Sequence, residues 1–355
     1  MSPVQTTTLG PLTVSRFALG AMLMGGKTPH DEAERILERF RAAGGNLIDT
    51  ADTYEDGGSE RALARWLSRH RDEVVLATKV RFEVSDPGGD GLAPQRIRAA
   101  CDASLRRLGT DVIDLYQVHA PDPAVPIEES LEALESLVRA GKVRALGASN
   151  FPAWLLAWAV AVQDREGWTP FVSLQAQYSL VERSIELELL PFCRAAGLGV
   201  LAWGPLGAGF LSGRYRRGEA APPGSRIADA GDDYEEAYER RAVERNFRVL
   251  DAASEIAAAH NVSVPAVAIA WLQGVEGVTA PILGARTLAQ LDELLAAAEL
   301  ELSDDEVARL QAPAPPAPIY PQRMLREQVG IDAMPGLRRP YGEAYASGGP
   351  TTSKP

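Results

Sequence analysis

Short apolar runs rich in β-forming residues recur along the chain at intervals of about thirty residues: FALG at 17–20, NLIDT at 46–50, VVLATK at 74–79, VIDLYQVH at 112–119, VRALGAS at 143–149, FVSLQ at 171–175, GVLAWG at 199–204 and VTAPILG at 278–284. Between most of them lie stretches whose apolar positions recur at helical spacing, as in Glu32–Ala43, Pro94–Leu108, Ile127–Ala140 and Leu288–Ala298. Nearly continuous apolar strands that alternate with helices predict a parallel sheet covered by helices. Eight such units predict an α/β fold of the (β/α)8 TIM barrel class. The alternative is an open doubly wound sheet, but the first strand lacks the glycine-rich turn into a helix that such a sheet uses for a dinucleotide.

Three departures from the period add detail. TTTLGPLTVS, before the first unit, predicts an N-terminal hairpin that closes the barrel floor. About eighty residues separate Trp203 from Ile282, which is too many for one unit. An insertion between the seventh and eighth strands is therefore predicted, holding the glycine-rich GPLGAGFLSGRYRRG and a helical stretch near Asp233–His260. The proline-dense APAPPAPIYP then opens an irregular tail. The predicted organisation is one barrel domain over 1–311 and a tail over 312–355 that partly covers the barrel mouth, with GGPTTSKP at its end disordered.

Composition narrows the function classes. The chain has 355 residues, 46% hydrophobic and 24% charged, enough for a sizeable core. Its 36 basic and 48 acidic residues give a net charge of −12, with no broad basic surface, which argues against a nucleic-acid partner. No apolar run approaches the roughly 20 residues of a membrane span, and the N-terminus has no signal-peptide pattern, so the expected location is cytoplasmic. Cys101 and Cys193 have no metal-ligand spacing and are read as reduced thiols. Lysine is scarce, occurring only at Lys27, Lys79, Lys142 and Lys354; the abundance of arginine and alanine suggests a GC-rich bacterial genome.

In a barrel of this class the chemistry gathers at the C-terminal rim of the strands, so the residue that closes each strand carries the information. The second strand ends in Asp49, with Tyr54 five residues on; the third ends in Lys79 and the fourth in His119. The fifth ends in Ser149 and Asn150, the sixth in Gln175 and the seventh in Trp203. Taken singly, each has an ordinary structural reading: Asp49 as a helix cap, Lys79 as a solvated rim residue, Trp203 as core. His30, His70 and His260, at helix ends or turns, keep such a reading.

With NLIDTADTYEDGGSE, VVLATKV, IDLYQVHAPD, GKVRALGASNF, LQAQYSLVER, GVLAWGPLGAGFLSGRY and ILGARTLAQLDE in order, the chain resembles the aldo-keto reductase superfamily from about residue 8 to residue 303. The resemblance implies a catalytic tetrad of Asp49, Tyr54, Lys79 and His119, with NADPH/NADP+ as cofactor, no metal, and reversible reduction of a small-molecule aldehyde or ketone by direct hydride transfer. The residue types suit that chemistry. Charge that grows on a carbonyl oxygen needs a proton donor and nearby donor groups. Tyr54 can serve as donor if the Lys79 ammonium eases loss of its proton, and Asp49 keeps that lysine charged. His119 can orient the carbonyl.

The resemblance also implies cofactor contacts at Gly20, Ala21, Met22 and Asp49 on one side of the mouth. It places the nicotinamide against Trp203, with its carboxamide on Ser149, Asn150 and Gln175. It implies a covering loop over Gly204, Pro205, Leu206, Gly209, Leu211 and Arg214. The phosphates and adenosine fall to Gly284, Arg286, Gln290 and Glu293, with Arg286 as the 2′-phosphate ligand. Leu294 stands where the family often has an asparagine near the adenine, and Gly284 where it often has a lysine.

For the substrate, Met24, Tyr54, Phe82, His119 and Tyr320 are candidates, with Trp154 and Tyr178 as further apolar surfaces and Arg81 or Arg323 for a charged group. The rim loops that set selectivity vary most and leave the substrate itself unassigned. The resemblance is compatible with a monomer or a homo-oligomer. It also admits a second class of function, an NADPH-binding partner with little turnover, like the potassium-channel beta subunits of the superfamily.

Overall fold

All eight predicted strands form, and they close on one another. A computed structural model describes residues 4–225, 227–228 and 237–329. In it, β3 (Ala18–Gly20), β4 (Leu47–Asp49), β5 (Val75–Val80), β6 (Ile113–Val118), β7 (Val143–Ser149), β8 (Phe171–Gln177), β9 (Gly199–Trp203) and β10 (Val278–Leu283) make a closed barrel in which β10 pairs with β3. Every neighbouring pair is parallel. This is the (β/α)8 barrel.

The N-terminal hairpin consists of β1 (Thr6–Leu9) and β2 (Leu12–Ser15). Its Leu9, Leu12 and Val14 pack with Ala18, Leu47, Ala77, Leu115, Ala145, Val172, Leu201, Ala280 and Ile282 in one buried cluster that fills the barrel interior. Gly10 in its turn has φ +56°, and a Cβ there would lie 2.3 Å from Val172 Cγ1, so the hairpin sits against the barrel only because this residue has no side chain. Side chains alternate along a strand, so two residues beyond Leu47, Ala77, Leu115 and Leu201 the same inward face presents Asp49, Lys79, Gln117 and Trp203. The apolar floor thus supports a polar upper layer.

The surrounding helices are α1 (His30–Ala42), α2 (Gly58–His70), α3 (Pro94–Leu108), α4 (Ile127–Arg139), α5 (Ala153–Glu166) and α6 (Leu189–Ala196), each following its strand. The insertion after β9 contains α7 (Tyr238–Arg241), α8 (Glu244–His260) and α9 (Val264–Gly274). The long helical stretch expected there is thus divided at Val243, whose φ of −104° and ψ of 151° are extended; residues 233–236 lie outside the described residues. Helix α9, which leads into β10, has Pro265 to Leu272 all buried, and a helix apolar on all sides shows no amphipathic period.

After β10 come α10 (Leu288–Leu295) and α11 (Asp304–Gln311), the latter started by a capping box of Ser303 and Glu306. Residues 312–321 have no regular structure, and short helical turns follow at Gln322–Met324 and Leu325–Val329. Arg183, from the loop after β8, donates to the carbonyls of Gln311 at 3.1 Å and Ala314 at 3.5 Å, and Gln322 donates to Glu188 at 2.7 Å, which ties this segment to that loop. The terminal GGPTTSKP lies outside the described residues. No single helix among the described residues is long and apolar enough to cross a membrane.

Candidate active site at the barrel mouth

Three residues predicted from two neighbouring strand ends meet at one nitrogen. Lys79 Nζ donates to Asp49 Oδ2 at 2.7 Å, to the Thr50 carbonyl at 2.8 Å and to the Tyr54 hydroxyl at 3.2 Å. These three bonds match the three donors of an ammonium. Lys79 is 0% exposed, and burial alone would push its pKa down; the Asp49 carboxylate and Tyr54 outweigh that, and the value is raised above the ordinary lysine value. The lysine is therefore held charged.

The local fold places Tyr54 beside it. β4 ends at Asp49, and the chain turns through Glu55, Asp56 and Gly57, all at positive φ, before α2 begins. Asp49 is anchored on its other side, where Oδ1 accepts from Gln117 Nε2 at 3.1 Å and Gln175 Nε2 at 2.8 Å. Gln117 is a member of the site that strand-end reading passes over. Its signal is parity: it lies two residues before His119 and so shares its face. Gly147 makes room for it, since a Cβ there would lie 3.1 Å from Gln117 Cγ and 2.5 Å from Ser173 Oγ.

His119 presents its ring edge-on to Tyr54, with centroids 5.6 Å apart, and to Phe82 at 4.8 Å. Burial, with Lys79 nearby, holds its pKa well below the usual histidine value, so the imidazole is neutral near pH 7. Its Nδ1 is buried with no hydrogen-bond partner among the described residues. Asn150, at φ +57°, donates to the His119 carbonyl at 2.9 Å and to Ser149 Oγ at 3.0 Å, and its Oδ1 accepts from Trp203 Nε1 at 3.1 Å. Asn150 is thus already engaged in holding Trp203 and the His119 backbone. Gln175 spends its amino group on Asp49 and Gln117, the latter at 3.3 Å, which leaves its carbonyl oxygen.

Behind the loop that carries Tyr54 lies a buried charged network. Arg96 donates to Asp52 at 3.2 Å, to the Phe82 carbonyl at 3.3 Å and to the Gly89 carbonyl at 3.1 Å, while Arg107 pairs with Glu60 at 2.7 Å. Burial pushes the Asp52 carboxyl up to about 6 against the pull of Arg96. Thr53 Oγ1 donates to the Glu83 carbonyl at 3.0 Å and Asp56 accepts from the Ser85 N–H at 2.7 Å, so the Tyr54 loop and the Phe82 loop are linked at several points.

The cofactor-side candidates fall at three places. Gly20 ends β3, and the Ala21 N–H donates to the Asp49 carbonyl at 2.8 Å, with Met22 partly exposed beyond. After Trp203 the loop turns through Gly204, Gly207, Ala208 and Gly209 at positive φ. Pro205 and Leu211 are buried, and the Leu211 N–H bonds the Leu206 carbonyl, so these two brace the loop; Arg214 is exposed. At the opposite end, Gly284 is exposed, Thr287 caps α10 with its side chain, and the Arg286 N–H donates to Gln290 Oε1 at 2.8 Å. Glu293 is exposed on α10.

Other candidates are placed differently from expectation. Met24 is 1% exposed and part of the main core, so it packs beneath the mouth and presents no surface to a substrate. Tyr178 is also 1% exposed: its hydroxyl donates to Glu186 at 2.7 Å and its ring packs edge-on against Trp271. Leu294 is 3% exposed on the core side of α10. Arg81 is engaged by Asp90 at 3.3 Å, Asp122 at 3.7 Å and the Pro121 carbonyl at 3.3 Å. Phe82, against His119, is 42% exposed, whereas Trp154 and Tyr320 are 70% and 76% exposed. Cys101 and Cys193 are free and buried, and burial pushes each thiol up to about 12.

Comparison with known proteins places this arrangement. The model of the Aldo/keto reductase family matches residues 16–314. An oxidoreductase of Bacillus subtilis, YrpG, is 37% identical over 311 residues, covering 84% of this chain and 91% of its own. The norsolorinic acid reductase stcV of Emericella nidulans is 32% identical, with coverage of 90% and 83%. The versiconal hemiacetal acetate reductase of Aspergillus parasiticus is 32% identical, with coverage of 87% and 96%. By family match and by these relatives, the chain belongs to the aldo/keto reductase family, whose members are oxidoreductases of carbonyl compounds and generally use NAD(P)H.

Proposed function

We propose that the protein reduces a small-molecule aldehyde or ketone to the alcohol, reversibly, with NADPH as hydride source and Tyr54 as proton donor. The observation that carries this reading is the charged, buried Lys79 with its third bond on the Tyr54 hydroxyl. An ammonium there stabilises the phenolate left when the proton departs, which makes an otherwise reluctant acid effective near neutral pH. His119, neutral and with no partner on Nδ1 among the described residues, is suited to donate from its ring to the same carbonyl oxygen.

The residues present fit the cofactor. Trp203 is partly exposed at the end of β9 and offers a flat ring for the nicotinamide, and the Ser149 hydroxyl and Gln175 carbonyl oxygen supply the donor and acceptor that a carboxamide requires. The glycine turns after Trp203 permit close backbone approach, and Arg286, which makes no ion pair among the described residues, supplies positive charge at the start of α10. When bound, the nicotinamide supplies the hydride; the chain's own residues orient the carbonyl and deliver the proton. We read residues 1–311 as the barrel unit and 312–355 as an irregular tail that partly covers the barrel mouth.

The test is Tyr54→Phe. NADPH oxidation with an activated aromatic aldehyde should fall by roughly 10²- to 10⁴-fold, the usual contribution of a general acid. NADPH affinity should change little. Retention of full turnover would remove Tyr54 from the reaction.

A further inference from the structure

The start of α10, where the proposed reading needs the 2′-phosphate, is already contacted by a carboxylate. Glu32, in the first turn of α1, accepts the Leu288 N–H through Oε1 at 2.9 Å, and its side chain is 21% exposed. Two neighbouring donors are also taken within the chain: the Gln290 N–H by Thr287 Oγ1 at 3.3 Å, and the Arg286 N–H by Gln290 Oε1 at 2.8 Å. The other charged groups around this end are paired or solvent-facing. Arg35 lies 2.8 Å from Glu32 Oε2 with its side chain 65% exposed, Arg39 pairs with Asp292 at 2.7 Å, and Glu293 is exposed.

We infer that Glu32 is a specificity-determining residue that lowers the preference of this site for a 2′-phosphorylated dinucleotide over the unphosphorylated one. The inference rests on the reading of α10 as the phosphate-binding end. A helix start favours one negative charge, and here Glu32 already supplies it. A phosphate brought to the same turn meets that carboxylate as a like charge, and the largely exposed Arg35 offsets only part of the repulsion. The pyrophosphate is common to NADP+ and NAD+, so its interaction cancels in the ratio of their affinities. Arg286 and Glu32 thus act on that ratio in opposite directions.

The experiment is calorimetric titration of the full chain with NADP+ and with NAD+, for the wild type, Glu32→Gln and Arg286→Ala. Glutamine keeps an acceptor for the Leu288 N–H and removes the charge; a thermal melt of each variant checks that folding is retained. For Glu32→Gln the expected result is a Kd for NADP+ lowered roughly three- to tenfold, with NAD+ changed less than about twofold. This difference should fade toward about 1 M salt, where screening reaches about 3 Å. Arg286→Ala should weaken NADP+ alone. An unchanged affinity ratio in Glu32→Gln, with Arg286→Ala behaving as expected, overturns the role of Glu32 only. If Arg286→Ala changes neither affinity, or the wild type binds neither dinucleotide, the reading of α10 or of the cofactor fails, and the role of Glu32 fails with it.

Discussion

The hydrogen bonds of the proposed site converge on Lys79, and its burial makes it sensitive. Its ammonium is charged because Asp49 faces it at 2.7 Å, and Asp49 in turn has Gln117 and Gln175 on its other oxygen. Removing one partner of such a pair leaves the other buried and uncompensated, a change that costs about 3–5 kcal/mol. Lys79→Met should therefore lower unfolding stability by that order in a denaturant titration, along with its loss of turnover; an unchanged midpoint would show that the pair is not buried as described.

Asp52 makes a separate prediction. Its pKa is raised to about 6 in the folded protein, above the unfolded value of about 3.9. The stability it contributes is fully present below about pH 4 and is lost as pH rises through about 6. Wild-type stability relative to Asp52→Asn should then fall by up to about 3 kcal/mol over that window and level off above it. A difference that stays flat from pH 4 to 7 contradicts the assignment.

At this scale the sequence carried residue types well and environments poorly. Asp49, Tyr54, Lys79 and His119 stand out because each closes a strand or follows one at fixed offset, and the first three meet at one nitrogen. Met24 and Tyr178 share the composition of a substrate surface, but whether an apolar side chain faces the mouth or the core depends on packing from distant segments, such as Trp271 against Tyr178. The charge state of His119 likewise arises from burial and from Lys79, forty residues away in sequence.

Among the elements, the strands were legible and some helices were not. A parallel strand covered on both faces reads as a short apolar run, and the expected runs at 74–79 and 112–119 correspond to β5 and β6 within about one residue. Helices with one solvent face, such as α3 and α4, show their period. Helix α9 does not, because it is buried all round and its residues Val264–Gly274 present no polar stripe. The hairpin was legible through the alternation of TTTLGPLTVS. Its attachment to the barrel makes a direct prediction: Gly10→Ala forces a side chain into Val172 at positive φ and should cost about 1–3 kcal/mol, read as a lowered melting temperature. A melting temperature equal to that of the wild type would mean that the hairpin is not seated on the barrel floor.

For the molecule as a whole, the fold divides its work along the barrel axis. The hairpin and an apolar layer fill the floor, and two residues further along the strands the polar layer of Asp49, Lys79 and Gln117 opens toward the loops after β5, β7, β8 and β9. Arg96 connects Asp52, Phe82 and Gly89 behind this layer, so the loop that bears the proposed proton donor is tied by hydrogen bonds to the loop that bears the apolar contact to His119. A net charge of −12 does not oppose a dinucleotide, which needs positive charge only where its phosphates lie. The proposed function requires direct hydride transfer onto a carbonyl carbon in this mouth. It is tested most directly by supplying NADPH deuterated at the transferable C4 position, with an aromatic aldehyde, and weighing the alcohol by mass spectrometry. One deuterium on the carbinol carbon is the predicted result; alcohol formed without the label would contradict it.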